Sequence, residues 1–140
     1  MGASYIYECN KCGYTFHTSG PWEFYRDREG KLKDYGHPAP RSREAEVLGI
    51  KGLYGEMYCH ICDKVRKIIL VEFKNPSDDS LSVWTGRCEP EEKYMKEGAI
   101  KCTKCGNKNL IFEVEKDDKE EISCPRCKEG KIKGRLEWIS

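Results

Sequence analysis

Residues 100–139, "IKCTKCGNKNLIFEVEKDDKEEISCPRCKEGKIKGRLEWI", carry the most informative pattern in this chain. Two CxxC pairs, Cys102/Cys105 and Cys124/Cys127, stand 18 residues apart. In a CxxC pair a tight turn brings two thiolates onto one metal while backbone amides point at the sulfurs, and two such knuckles complete a tetrahedral four-sulfur site. The 18-residue interval falls inside the spacing window of a CxxC…CxxC zinc site. Glycine after the second cysteine, as in "CTKCG", lets the turn close. The remainder reads as strand, polar turn, strand, knuckle, strand.

The same device recurs upstream. Cys9/Cys12 lie in "YECNKCGYTF" and Cys59/Cys62 in "CHICDK", with 46 residues between Cys12 and Cys59. Closing 46 residues rather than 18 costs only ~0.8 kcal/mol of loop entropy, small beside the roughly 10 to 16 kcal/mol of a structural zinc. Sequential grouping, Cys9/Cys12 with Cys59/Cys62 and Cys102/Cys105 with Cys124/Cys127, is the simplest arrangement, and the sequence leaves a crossed one open. The eight cysteines are the expected ligands of two zinc ions per chain. Iron also suits a tetrahedral sulfur site, but the second knuckles of both halves lack the glycine of a rubredoxin and are surrounded by charge, which favours zinc.

Residues 100–139 resemble a zinc ribbon over nearly their whole length, and "YECNKCGYTF" is similar to the first knuckle of rubredoxin-like members of that class. The resemblance implies a small, mainly β, metal-stabilised fold: two zinc ribbons in tandem, the first elaborated by a long insertion. It implies little about function, since zinc ribbons serve transcription, translation, enzyme scaffolds and protein assembly alike. An internal repeat fits the tandem reading, because "CNKCG" with "CHICDKVRKIILVEF" parallels "CTKCG" with "CPRCKEGKIKGRLEW".

The expected organisation is an elaborated ribbon over residues 1–74, a linker over 75–98 and a plain ribbon over 99–140. The insertion of the first ribbon holds "WEFYRDREGKLKDY", which reads as a hairpin around a glycine-containing turn, and "SREAEVLG", with Ser42 as N-cap and Gly49 as stop. In the linker, Pro90, Glu91, Glu92 and Gly98 have the order of a short helix from its first turn to its end.

Composition bounds the function. The chain of 140 residues is 35% charged with a mean hydropathy of −0.77, too polar for one large oily core. No window is long and apolar enough to span a bilayer, and "MGASYIYECN" has no signal-peptide pattern, so the expected location is cytoplasmic. Nine cysteines in such a setting argue against disulfides. The formal charge of +1 becomes about −3 when two four-thiolate zinc sites each add −2, a poor field for phosphate.

Local clusters of charge stand against that overall balance. Lys101, Lys104, Lys108, Arg126, Lys128, Lys131 and Lys133 lie in or beside the last two knuckles, and Glu113, Glu115, Asp117, Asp118, Glu120 and Glu121 lie between them. A basic knuckle end could touch RNA, but lysines that offset thiolate charge are the simpler reading. Trp22, Phe24, Tyr25, Tyr35 and Tyr54 among basic residues have the composition of a base-stacking surface, although aromatics in a small unit more often form its core. His17, His37 and His60 are not needed as ligands where four thiolates serve each site.

The expected function is therefore that of a zinc-binding adaptor for a protein or RNA partner, a protein being favoured and any RNA or DNA binding weak, with no membrane association. The alternative is a thiol-disulfide reductase or redox sensor. "CPRC" resembles the CPxC of glutaredoxin-type proteins but lacks a βαβ context. Cys88, the one cysteine outside the pairs, would be the initiating thiol: a position before the helix and next to Arg87 favours its thiolate, whereas Glu89, Glu91 and Glu92 oppose it. An inert Cys88 packed near Trp84 is the competing view.

Overall fold

A computed structural model describes residues 2–36, 39–112 and 122–139. The protein is small and mainly β, with 46% strand against 11% helix among the described residues. Its elements are β1 (Ala3–Cys9), β2 (Thr15–Arg26), β3 (Leu32–Asp34), α1 (Arg43–Leu48), β4 (Ile50–Cys59), β5 (Lys64–Ser77), α2 (Ser80–Trp84), a 3₁₀ turn (Glu92–Tyr94), β6 (Ile122–Ser123) and β7 (Lys131–Ile139). Hydrogen-bonded strand order is β5-β4-β2-β1-β7-β6, with β3 on β2.

The chain forms two compact units, and neither follows the expected boundaries at residues 74/75 and 98/99. The first gathers Met1–Gly20, Gly55–Ile68 and Lys101–Ser140; the second gathers Pro21–Tyr54 and Ile69–Ile100. The cause is strand length. β2, β4 and β5 run for 12, 10 and 14 residues, so each begins in one unit and ends in the other.

In the first unit β1 pairs antiparallel with β2 on one side and β7 on the other, which sets the two ends of the sequence side by side. Tyr7 faces Phe16 across the β1–β2 ladder, and their rings stack at 5.0 Å. Phe16 then stacks on Tyr58 at 3.8 Å. Aromatic rings bury large areas each, so this stack is a main part of the cluster that also holds Cys9, Ile111, Cys124 and Ile132. On the β7 side Tyr7 faces Gly134, where a Cβ would run into the tyrosine ring. That glycine keeps the strand close enough for the ring to lie flat.

The second unit is built conventionally around Tyr25, Tyr35, Ala45, Ile50, Phe73 and Val83. The expected hairpin is present, with Tyr25 opposite Lys33, and so is the expected helix: Ser42 Oγ accepts from Ala45 N at 3.1 Å, and Gly49 ends α1 at φ +79°. Phe24, Tyr25, Tyr35 and Tyr54 are all buried, so these aromatics are core rather than a stacking surface. Several of the basic residues among them are paired: Arg26 with Glu72, Lys31 with Glu29, Lys33 with Asp27, Arg41 with Asp34 and Arg43 with Glu46.

The segment read as a linker is structured. Asp79 Oδ1 accepts from Leu81 N at 3.0 Å and caps α2, a helix the sequence reading passed over. The helix expected from Pro90 onward is reduced to one 3₁₀ turn, because Glu89 to Glu91 are extended against β5: Lys74 N donates to Glu89 O at 2.9 Å and Glu91 N to Glu72 O at 2.8 Å. β4 was also missed. Its Gly52 and Gly55 lower strand propensity, yet each marks a close approach, Gly52 to Val71 and Gly55 to the Phe112 ring. No helix among the described residues is long and apolar enough to cross a membrane.

Candidate metal centres

Both cysteine clusters lie in the first unit, and they are nested. Cys9, Cys12, Cys124 and Cys127 form an outer quartet; Cys59, Cys62, Cys102 and Cys105 form an inner one. The sequential grouping is thereby corrected. The first and last knuckles meet because β1 and β7 are neighbours, with Cys9 in register with Ile132. Asn10 N donates to Lys131 O and Lys131 N to Asn10 Oδ1, both at 3.0 Å, and Gly130 packs so tightly on Cys9 Sγ that a Cβ there would collide with it. The inner knuckles meet through a β-bridge in which Tyr58 and Ile111 exchange both backbone hydrogen bonds, at 2.9 and 3.0 Å.

The sulfur geometry fits a tetrahedral ion. Zn–S bonds of about 2.3 Å place neighbouring sulfurs about 3.8 Å apart. The closest cross-knuckle pairs are Cys9–Cys127 and Cys12–Cys124 at 3.6 Å, Cys59–Cys105 at 3.5 Å and Cys62–Cys102 at 3.9 Å. These are far beyond the roughly 2.05 Å of a disulfide. Within each quartet the ligand atoms all lie within 4.8 Å of one another. The first cysteine of every knuckle is buried, and the second is exposed or half-buried.

Amides complete each knuckle. Lys11 N and Cys12 N point at Cys9 Sγ at 3.4 and 3.5 Å, and Gly130 N points at Cys127 Sγ at 3.3 Å. Asn107 Nδ2 lies 3.6 Å from Cys59 Sγ. The amides of Cys105 and Lys104 pull Cys102 down to about 6, and those of Gly130 and Glu129 do the same for Cys127. Cys12 and Cys105 move the other way, up to about 12: the amides of Tyr14 and Asn107 favour their thiolates, but burial and the neighbouring sulfurs outweigh them. Each quartet is thus split between ready and reluctant thiolates, the signature of four like charges that need a cation before all can ionise.

One backbone rule governs all four knuckles. The residue after the second cysteine is left-handed: Gly13 at φ +75°, Asp63 at +53°, Gly106 at +77° and Lys128 at +60°. Glycine is the easy occupant, and the sequence reading took its absence in "CHICDK" and "CPRCK" as a departure. Aspartate and lysine take the same turn there.

Asp63 was not foreseen as a functional residue, nor were Tyr14, Tyr58, Arg126 as its partners, or Asn107. His17 Nδ1 sits 3.3 Å from Glu137 Oε2 and His60 Nδ1 3.4 Å from Asn107 Nδ2; neither belongs to a quartet. His37 and the acidic residues 113–121 lie outside the described residues. Cys88 is half-buried against the apolar cluster of the second unit, and three residues separate it from the 3₁₀ turn's first residue, so no helix begins at it.

Comparisons with protein-family models, with curated proteins and with solved structures find no match for this chain.

Proposed function

We propose that the protein is a zinc-binding adaptor of zinc-ribbon type, cytoplasmic, whose two ions are structural and whose partner is another protein. The observation that carries this reading is the closure of both quartets: four sulfurs at tetrahedral spacing saturate a zinc ion, whereas a catalytic zinc keeps a fourth position for water or substrate. Zinc bound there supplies folding energy to a unit with a modest apolar core. A protein partner is favoured over RNA or DNA by the nearly balanced charge and by the ion pairs that engage Arg26, Lys33, Arg41 and Arg43 in the second unit. The packing of Cys88 against apolar side chains supports an inert thiol rather than an initiating one.

Elemental analysis of the purified chain, combined with thiol counting before and after mild oxidation, tests the reading. Two zinc ions per chain and slow labelling of Cys88 are expected. Iron absorption, one metal per chain, or disulfide reductase activity lost in Cys88→Ser would overturn it.

A further inference from the structure

Asp63 follows the last cysteine of an inner knuckle, but its carboxylate is held by the outer ones. Its Oδ1 accepts from Tyr14 OH at 2.8 Å and from Tyr58 OH at 2.6 Å; its Oδ2 pairs with Arg126 Nε at 3.3 Å. The Arg126 guanidinium also lies 4.3 Å from the centre of the Tyr14 ring. Tyr14 belongs to the first outer knuckle, since its carbonyl accepts from Cys9 N at 2.8 Å, and Arg126 stands between Cys124 and Cys127 in the second. Tyr58 immediately precedes the inner ligand Cys59. A single carboxylate therefore receives one donor from each outer knuckle and one from the inner site.

We propose that Asp63 couples the two metal sites, so that closure of one quartet raises the affinity of the other. The inference rests on the zinc reading above. Tyr14 and Arg126 are positioned to meet Asp63 when the outer knuckles are closed around their ion. Asp63 must hold a left-handed backbone for the inner knuckle to close, a conformation disfavoured for a residue with a Cβ. The three partners offset that preference, so an outer site already formed makes the inner knuckle easier to form. Linkage makes the effect reciprocal: the inner site, once closed, presents Asp63 to the outer knuckles. Chain connectivity alone also couples nested loops, because closing the inner loop shortens the outer one. The side-chain contribution is what the clamp adds.

The apo full-length chain is titrated with Co²⁺, read by thiolate-to-metal absorption and by native mass spectrometry of the zero-, one- and two-metal species. The coupling factor is the overall constant for two ions divided by the product of the single-site constants, the latter from Cys124→Ser, which leaves the inner site, and Cys102→Ser, which leaves the outer. The cycle is repeated with Asp63→Gly, which removes the carboxylate while permitting the left-handed turn, as Gly13 and Gly106 do. We expect the coupling factor to fall about tenfold in the glycine background, within the usual range of coupling between sites. Arg126→Gln, which attacks the clamp from the outer side, should lower the factor in the same direction and serves if the glycine variant does not fold. An unchanged factor in these variants, or a wild-type factor of one, overturns the inference. A chain that takes up no metal fails the zinc reading itself, a distinct result.

Discussion

The two units solve the same problem of a small core by different means. The second buries Tyr25, Tyr35, Ile50 and Phe73 together with Ala45 of α1 and Val83 of α2, and neutralises its buried Glu72 with a two-pronged contact from Arg26, at 2.9 and 3.1 Å. The first stacks Tyr7, Phe16 and Tyr58, packs Cys9, Cys124 and Cys127 into the same cluster, and holds both cysteine quartets. Units of this size draw only a few kcal/mol from a core alone, and only the first has sulfur sites through which a bound ion would add to it.

Metal removal should therefore break the comparison most visibly. If the quartets hold zinc as proposed, each ion being worth roughly 10 kcal/mol, chelation should abolish hydrogen-exchange protection at Tyr7, Phe16 and Tyr58 while much of it persists at Tyr25, Ile50 and Phe73. Equal loss in both units would show that the second depends on the sulfur sites as well. Acid should act in the same direction, since thiolates must be protonated for the ion to leave.

Next in size is the buried ion pair. Arg26→Ala strands the Glu72 carboxylate, 8% exposed, and should cost about 3 kcal/mol, read as a lower denaturant midpoint. Arg26→Met with Glu72→Leu together should cost far less, since the penalty comes from the unpaired charge rather than the lost attraction. A comparable Phe16→Ala change in the first unit removes the middle of the aromatic stack and should cost about 3 kcal/mol in the metal-loaded protein. Ser42→Ala, which deletes the cap of α1, should cost about 1 kcal/mol.

The cysteine pairs and the β character were legible because they rest on local chemistry: a CxxC turn announces itself in four residues, and Ser42 and Gly49 mark α1 at both ends. The pairing of knuckles was not. Grouping Cys12 with Cys124, 111 residues apart, costs only ~1.6 kcal/mol more closure entropy than an 18-residue loop, so loop length does not discriminate. The decision lies in which strands pair. "YIYEC" and "KIKGRLEWI" are both readable as strands, but only the fit of Tyr7 over Gly134 and of Cys9 against Gly130 makes them neighbours. In the same way β4 was hidden by glycines whose use appears only when Val71 and Phe112 are in place. The coupling carboxylate was hidden because Asp63 reads as a missing glycine until its three partners are seen.

The smallest prediction sharpens that last point. Asp63 and Lys128 occupy equivalent left-handed positions in their knuckles, at φ +53° and +60°, but for different reasons. Lys128 N donates to Cys124 O at 2.9 Å, a backbone contact that any residue can make. Lys128→Gly should stabilise the loaded protein by about 0.5 kcal/mol, the roughly 1–2 kcal/mol left-handed penalty of a side chain less the roughly 0.5–1 kcal/mol of extra chain entropy that glycine loses on folding. Asp63→Gly gains the same relief but loses the hydrogen bonds of Tyr14 and Tyr58 and the pairing with Arg126, and should be destabilising by about 1–2 kcal/mol. Denaturant midpoints of the two variants, measured with both sites filled, should therefore move in opposite directions. A rise in both would mean that Asp63, like Lys128, merely tolerates its backbone and that its three partners add nothing to the fold.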